Sequence, residues 1–328
     1  MHCGLCPHAC RIPEGRRGLC GVRENRQGTL YSLVYGRPVA EHVDPIEKKP
    51  LFHVLPGSRS YSVATVGCNL SCRHCQNAEI AHLPRTRGIP LTEQRTPEAI
   101  VAAARAAGCS SIACTYTEPT VYFEYARDIG ECAAQAGLQT VFVTNGYITP
   151  GAIEAAAPFL DAANIDLKSF SDEFYRRICG ARLEPVLEAI RTYHRCGVWV
   201  EVTTLIIPGL NDAPDELKRA AEFIVSLDEN IPWHVSAFYH AYRLTDRPPT
   251  PPETLHAARA IGMAAGLRYV YTGNIAGHGG EDTLCHVCGS VLISRRGYCI
   301  EDSTLHDGCC PACKTRCAGV FDDTATMP

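Results

Sequence analysis

No stretch of this sequence is long and apolar enough to span a membrane, and its first residues, MHCGLCPHAC, lack the apolar core of a secretory leader. Surplus positive charge is also missing. With 31 Lys and Arg against 35 Asp and Glu the net charge is −4, so a general duplex-binding surface is not expected. Only residues 1–26 lean basic, through Arg11, Arg16, Arg17, Arg23 and Arg26, which reads as solvated surface before it reads as an RNA-binding patch. Neither a GxGxxG turn nor a phosphate-cradling P-loop follows the first apolar run. Cysteine, by contrast, is abundant: 19 of 328 residues. A chain this long builds its own core without disulfide staples. Thiols grouped at close spacings therefore point to metal in a reducing compartment, and the expected location is the cytoplasm.

From Ser60 onward one unit recurs. The apolar run YSVATVG leads to TPEAIVAAARAAG, where Thr96 is a helix N-cap candidate and Pro97 takes the first helical position. SIACTY, TVFVTN, NIDLKSF, VWVEVTTLIIPG and WHVSAF each precede a helical pattern, and Thr149–Pro150 repeats the cap-plus-proline start. The runs are short, β-branched and apolar on both faces, as strands of a covered parallel sheet are. About six such repeats, closed by RYVYTG, predict an α/β fold: a partial (β/α)6-type barrel over 60–279. Two Cys-rich extensions flank it, 1–59 and 280–328. The first contains GTLYSLVYGRPVAEHV, which alternates like a hairpin.

CNLSCRHC (Cys68 to Cys75) directly follows the first apolar run, at the strand end where a barrel places its chemistry. Three residues separate Cys68 from Cys72 and two separate Cys72 from Cys75. Such a loop can wrap three thiolates around one 4Fe–4S cluster, which normally takes four, leaving one iron open to a ligand. Zinc completed by His74 or by a distant residue is the competing reading. Later strand ends carry further polar groups: Glu118 in TYTEP, Asn145 in TNGY, and Glu201 in EVTTLIIPGLND. Asp166 and Lys168 in NIDLKSF stand two apart, on one face of a strand. Singly these could be an ion pair or a turn; in order, behind the triple cysteine, they form a pattern.

That pattern resembles the radical S-adenosylmethionine (SAM) superfamily. The resemblance implies that Cys68, Cys72 and Cys75 hold a 4Fe–4S cluster whose open iron is chelated by SAM. Reductive cleavage of SAM would then give methionine and a 5′-deoxyadenosyl radical that abstracts hydrogen from a substrate. Glu118 would receive the methionine ammonium and Asp166 and Lys168 would meet ribose and carboxylate, with Asn145 and Glu201 completing the SAM shell. His74 stands where the family has a different aromatic residue, and Tyr116 and Thr117 stand where it often has glycines. Almost the whole chain is similar to AmmeMemoRadiSam-system enzymes, relatives of pyruvate formate-lyase activating enzyme. CGLCPHACRIPEGRRGLCGVR, EKKPLFHVLPGS, YTEPT, TTLIIPGLND, PWHVSAF and TGNIAG carry this similarity, while Tyr239 and His240 in AFYHAYRLTD depart from it. It implies a reductant such as flavodoxin or ferredoxin, Ammecr-like and Memo-like partners, no membrane, and a protein, RNA or metabolite substrate.

Two C-x-x-C pairs, Cys285–Cys288 and Cys310–Cys313, predict a zinc-ribbon or rubredoxin-like site, although the gap between them just exceeds the usual 15–20 residues or so. Cys299, Cys309 and Cys317 are spare and leave an auxiliary cluster open there. Cys3, Cys6, Cys10 and Cys20 are expected to hold zinc or an auxiliary cluster rather than to sit free on a mobile arm. Cys109, Cys114, Cys132, Cys179 and Cys196 lie in or beside core elements and receive no role. The leading function is therefore a radical SAM enzyme. Its competitors are a glycyl-radical activase, a non-catalytic metal scaffold and an electron-transfer protein.

Overall fold

Seven strands run parallel and in chain order across one sheet: β4 (Arg59–Ala64), β5 (Ser111–Cys114), β6 (Gln139–Thr144), β7 (Ala162–Asp166), β8 (Trp199–Ile206), β9 (Trp233–Ala237) and β10 (Val270–Gly273). The structure is a computed structural model, and it describes residues 1–275 and 279–321. Strand β3 (Ala40–Pro45) adds antiparallel to β4, so β3 and β10 are the edges and the sheet is open among the described residues. Helices at Pro97–Ala106, Phe123–Gln135, Pro150–Ala156, Leu183–Arg195, Pro214–Leu227 and Pro252–Ala265 make the crossovers. This is the partial β/α barrel expected from the alternating pattern. The last residues of the TGNIAG run, Ala276 and Gly277, lie outside the described residues.

Local chemistry explains the elements. Every residue of β5 is buried, because helices cover the parallel sheet. The helix Leu183–Arg195 buries Val186, Leu187, Ile190 and Tyr193 on one stripe and leaves Glu184 and Arg195 in solvent. Thr96 caps its helix, accepting the Ala99 N–H at 3.3 Å. Thr149 does not: its hydroxyl instead donates to Gly4 O at 2.8 Å, so it anchors the N-terminal segment.

The hairpin lies earlier than its sequence pattern placed it. Strands β1 (Arg23–Arg26) and β2 (Thr29–Ser32) pair across Gln27 and Gly28, both at positive φ (52° and 77°), the two-residue turn that matches strand twist. Residues 40–45 leave the hairpin and join the main sheet as β3. At the other end β11 (Thr283–Leu284), β12 (Val291–Arg296) and β13 (Cys299–Ser303) form a small antiparallel sheet. It docks on the barrel through buried Arg295, which donates to Phe52 O at 2.8 Å and lies 4.4 Å from the Phe52 ring centroid. All nineteen cysteines are free thiols, and no helix among the described residues is long and apolar enough to cross a membrane.

Candidate active site and metal centres

The Cys68–Cys75 loop is built at the end of β4 by a close approach. Gly67 has φ +105° and a Cβ there would stand 2.7 Å from Val22 Cγ1, so only glycine lets the chain turn against the N-terminal extension. Beyond it, Ser71 N and Arg73 N each donate at 2.9 Å, to Cys179 O and Ile178 O. Arg85 bridges this loop to the extension, donating to Leu70 O at 3.1 Å and to Leu19 O at 2.6 Å. Asn69 donates to Tyr147 O at 2.7 Å and accepts from Asn145 at 2.9 Å. The loop is thus held on three sides by backbone and amide contacts before any metal is added.

All three cysteines line one cavity of about 400 Å³ at the C-terminal ends of the strands. Each parallel strand contributes to it. Thr117 follows β5, Asn145 follows β6, Asp166 ends β7, Thr203 lies on β8, Ser236 on β9, and Asn274 follows β10. Asp166 and Lys168 pair at 2.8 Å on its wall. Burial by itself would lower the Lys168 pKa, but the Asp166 carboxylate and the Cys72 and Cys179 sulfurs outweigh it and hold the ammonium well above the usual lysine range. Asn145 Nδ2 reaches Cys68 Sγ at 3.5 Å. Two polar atoms of the wall, Asn164 Oδ1 and Thr203 Oγ1, are buried without any partner. Three thiols, an ion pair and two unpaired oxygens around one cavity fit an iron–sulfur cluster with a polar ligand beside it.

Glu118 and Glu201, both expected to touch that ligand, do not line the cavity. Glu118 is fully buried. It accepts from Thr120 N at 3.1 Å, Thr120 Oγ1 at 2.6 Å, Thr144 Oγ1 at 2.8 Å and Asn145 N at 2.8 Å. Three of these donors reach Oε1 and one, Asn145 N, reaches Oε2, so the carboxylate ties the β6 end to the turn after β5. Glu201 sits low in β8 and accepts from Phe52 N, His53 N and Trp199 Nε1 at 3.0, 2.8 and 3.2 Å, with His234 Nε2 at 2.6 Å. The Pro50–His53 segment plugs the barrel here and separates Glu201 from the cavity above. Burial would raise the Glu201 pKa; His234 and the other donors reverse that and lower it.

Several cavity residues escaped the sequence reading. Lys49 is fully buried, pairs with Asp44 at 2.6 Å and stands 4.6 Å from the Tyr116 ring centroid, while Tyr116 O–H also donates to Asp44. Burial lowers the Lys49 pKa to about 8 against the pull of Asp44. The signal available was the pair Lys48–Lys49 before Pro50, which looks like solvated charge. Cys179, which received no role, lies outside the cavity lining but close by: its sulfur, that of Cys72 and a ring nitrogen of His74 lie within 4.8 Å of one another, all buried. A single ion there would leave Cys68 and Cys75 unused, although they share the cavity with Cys72. His74 packs 6.1 Å from Phe174 and is held neutral, its pKa lowered to about 3 by burial and by Lys168.

The terminal cysteines behave differently from each other. Cys285, Cys288, Cys310 and Cys313 converge, with Sγ–Sγ distances of 3.5 Å (Cys285–Cys313) and 3.6 Å (Cys288–Cys310). A tetrahedral ion with metal–sulfur bonds of about 2.3 Å needs sulfurs about 3.8 Å apart, so these four fit one ion. The spare Cys317 is buried beside Tyr269 and His53 and is not among the four that converge. Cys3, Cys6, Cys10 and Cys20 line one small pocket in an ordered segment: Met1 and Ile12 exchange hydrogen bonds and Cys3 N donates to Cys10 O at 3.0 Å.

The sequence matches the family model of the Radical SAM superfamily over residues 62–224. It is 47% identical over 296 residues to the uncharacterized protein MJ0808 of Methanocaldococcus jannaschii, covering 90% of this chain and 87% of that protein. To pyruvate formate-lyase 1-activating enzyme of Escherichia coli (strain K12) it is 22% identical over 208 residues, 60% of this chain and 85% of that enzyme. The fold is similar to that of a radical SAM methyltransferase from Sphaerobacter thermophilus, with TM-score 0.52, 18% identity, and 72% and 71% of the two chains covered. The chain belongs to the radical SAM superfamily and is a radical SAM enzyme. Within that superfamily it is related to the pyruvate formate-lyase activating enzymes.

Proposed function

We propose that Cys68, Cys72 and Cys75 hold a 4Fe–4S cluster, that SAM shares their cavity, and that the enzyme abstracts hydrogen from its substrate within an AmmeMemoRadiSam-like system. Bound together, cluster and SAM supply one-electron cleavage of the sulfonium to methionine and a 5′-deoxyadenosyl radical. The chain's part is to bind, orient and shield. Lys168, kept cationic by Asp166, offers an ammonium to a carboxylate, and Asp166 keeps a second oxygen for a hydroxyl. Asn164 and Thr203 offer their unpaired oxygens to hydroxyl or amino groups. Asn145, clamped by Asn69 and by Glu118, orients Cys68. Val143, Leu205 and Ala81 supply apolar wall that limits water.

The single observation that carries this reading is the opening of all three motif thiols onto the cavity that also holds the Asp166–Lys168 pair. Its test is anaerobic reconstitution and reduction with SAM, followed by chromatography for 5′-deoxyadenosine and methionine. Wild type should form both and Cys72→Ala neither. An intact cluster that leaves SAM uncleaved and whose paramagnetic signal ignores SAM would overturn it.

A second reading is a glycyl-radical activase, supported by the match to 85% of the Escherichia coli activating enzyme. A glycyl radical on a co-incubated partner enzyme is its signature. Either reading calls for a low-potential electron donor of the flavodoxin or ferredoxin class, with Ammecr-like and Memo-like proteins as candidate partners. Nineteen free thiols suit a reducing cytoplasm.

A further inference from the structure

The four N-terminal cysteines share a pocket with Arg23 and Asn69, yet the sulfurs of no three of them lie within 4.8 Å of one another among the described residues. The C-terminal four do meet that condition, so one molecule holds both arrangements. Four sulfurs around one tetrahedral ion must stand about 3.8 Å apart. Around a 4Fe–4S cubane each thiolate binds a different corner, and the sulfurs spread wider. The N-terminal set lacks the first arrangement, as a cluster's wider spread requires.

A separate observation points to an occupant that accepts an N–H donor. Arg23 is 5% exposed and binds Glu124 through its terminal nitrogens, one of them at 2.6 Å, yet its Nε is buried with no partner. Arg23 lines the same small pocket as the four cysteines, beside His8, Ile12, Asn69 and Thr120. A 4Fe–4S core with four thiolates is an anion whose sulfurs accept N–H donors, and it would satisfy the orphaned Nε.

The segment is also placed for electron traffic. His8 Nε2 bonds Asn69 O at 2.9 Å, Thr149 N donates to Leu5 O at 3.0 Å, and Asn69 is the residue after Cys68. All four cysteine residues are partly exposed, and Leu19, next to Cys20 in the chain, is exposed.

We propose that Cys3, Cys6, Cys10 and Cys20 bind an auxiliary iron–sulfur cluster that serves as an electron-entry site beside the Cys68 loop. In its reaction a flavodoxin- or ferredoxin-class donor loses one electron and the auxiliary cluster gains it; no bond is formed or broken. The cluster assignment stands by itself, whereas the entry role rests on the proposed SAM-cleaving site.

Acid-labile sulfide is the direct readout, since neither zinc nor a lone iron at the C-terminal cysteines carries any. After anaerobic reconstitution the full chain should hold about eight sulfides. The Cys68→Ala/Cys72→Ala/Cys75→Ala variant should keep about four, and adding Cys6→Ala and Cys10→Ala should remove them. A triple variant without sulfide, or with zinc in its place, overturns the proposal. Wild type gives an answer that needs no variant to fold: after reduction, electron paramagnetic resonance should show two cluster populations, only one of which shifts with SAM. One population that shifts entirely overturns it. Retained sulfide in the triple variant, with no SAM cleavage by wild type, supports the auxiliary cluster and removes the proposed function.

Discussion

The Glu118 carboxylate accepts the Asn145 backbone N–H at 2.8 Å, joining the turn after β5 to the end of β6 beneath the Cys68 thiol. Burial raises the Glu118 pKa, while four donors favour its ionised form. Glu118→Gln keeps the shape but turns an amide N–H₂ toward those donors. Stability should fall by about 1–3 kcal/mol, with SAM affinity weakened through the displaced Asn145. Thermal unfolding and SAM calorimetry on the reconstituted variant separate the roles. Unchanged stability with abolished SAM binding would make Glu118 a ligand contact after all.

Asp166 and Lys168 should act on the ligand side. Lys168→Ala removes the ammonium from the cavity wall but leaves the three cysteines, so iron and sulfide content should hold while SAM affinity drops about tenfold or more, roughly 1.4 kcal/mol. Asp166→Asn should also weaken binding, because the buried ammonium loses its partner at 2.8 Å. Normal affinity in both variants would reduce the pair to a structural ion pair.

Strand ends were legible because short β-branched runs and their caps announce a covered parallel sheet, and the triple cysteine marks the end of the first strand. Depth within a strand was not. Glu201 and Thr203 share a face of β8, but only Thr203 reaches the cavity, because the Pro50–His53 segment fills the barrel beneath it. Nothing local in VEVTT encodes a plug supplied from about 150 residues away; that is tertiary information. Glu118 is similar in part: Thr120 donates to it locally, but Thr144 and Asn145 reach it only in the fold. The four C-terminal cysteines were legible from spacing alone, since two C-x-x-C knuckles converge however long their insert is.

The C-terminal four-cysteine group should be a structural metal site. Its sheet contributes Arg295 and the hydrophobic contacts of Leu292 and Ile293 with Tyr269 and Tyr271, so metal loss should loosen the base of the barrel. Cys313→Ser should lose about one metal ion per chain and lower the apparent melting midpoint on the order of 5 °C or more. Elemental analysis alongside calorimetry would test this. Full metal content in the variant would show that the group does not bind an ion as a set.

His53 should make the protein acid-labile below neutral pH. Fully buried, it meets Ala318 O through Nδ1 at 2.6 Å and Tyr271 O–H through Nε2 at 2.6 Å. A carbonyl only accepts, so the proton sits on Nδ1 and Nε2 accepts from the tyrosine. Burial lowers its pKa to about 4 from the usual histidine value of 6.5; Glu201 pulls upward, and Arg295 and His234 push further down. Between those two values the unfolded chain takes a proton that the folded chain refuses. Stability is therefore full above about pH 6.5 and falls as pH drops toward 4, by roughly 3 kcal/mol over the window. Buried His74 and His82 add slope of the same sign, so the informative quantity is the difference between wild type and His53→Gln. Melting midpoints of the reconstituted proteins at several pH values should converge as pH falls, the variant losing less. Parallel curves would show that His53 takes up no proton on unfolding in this range.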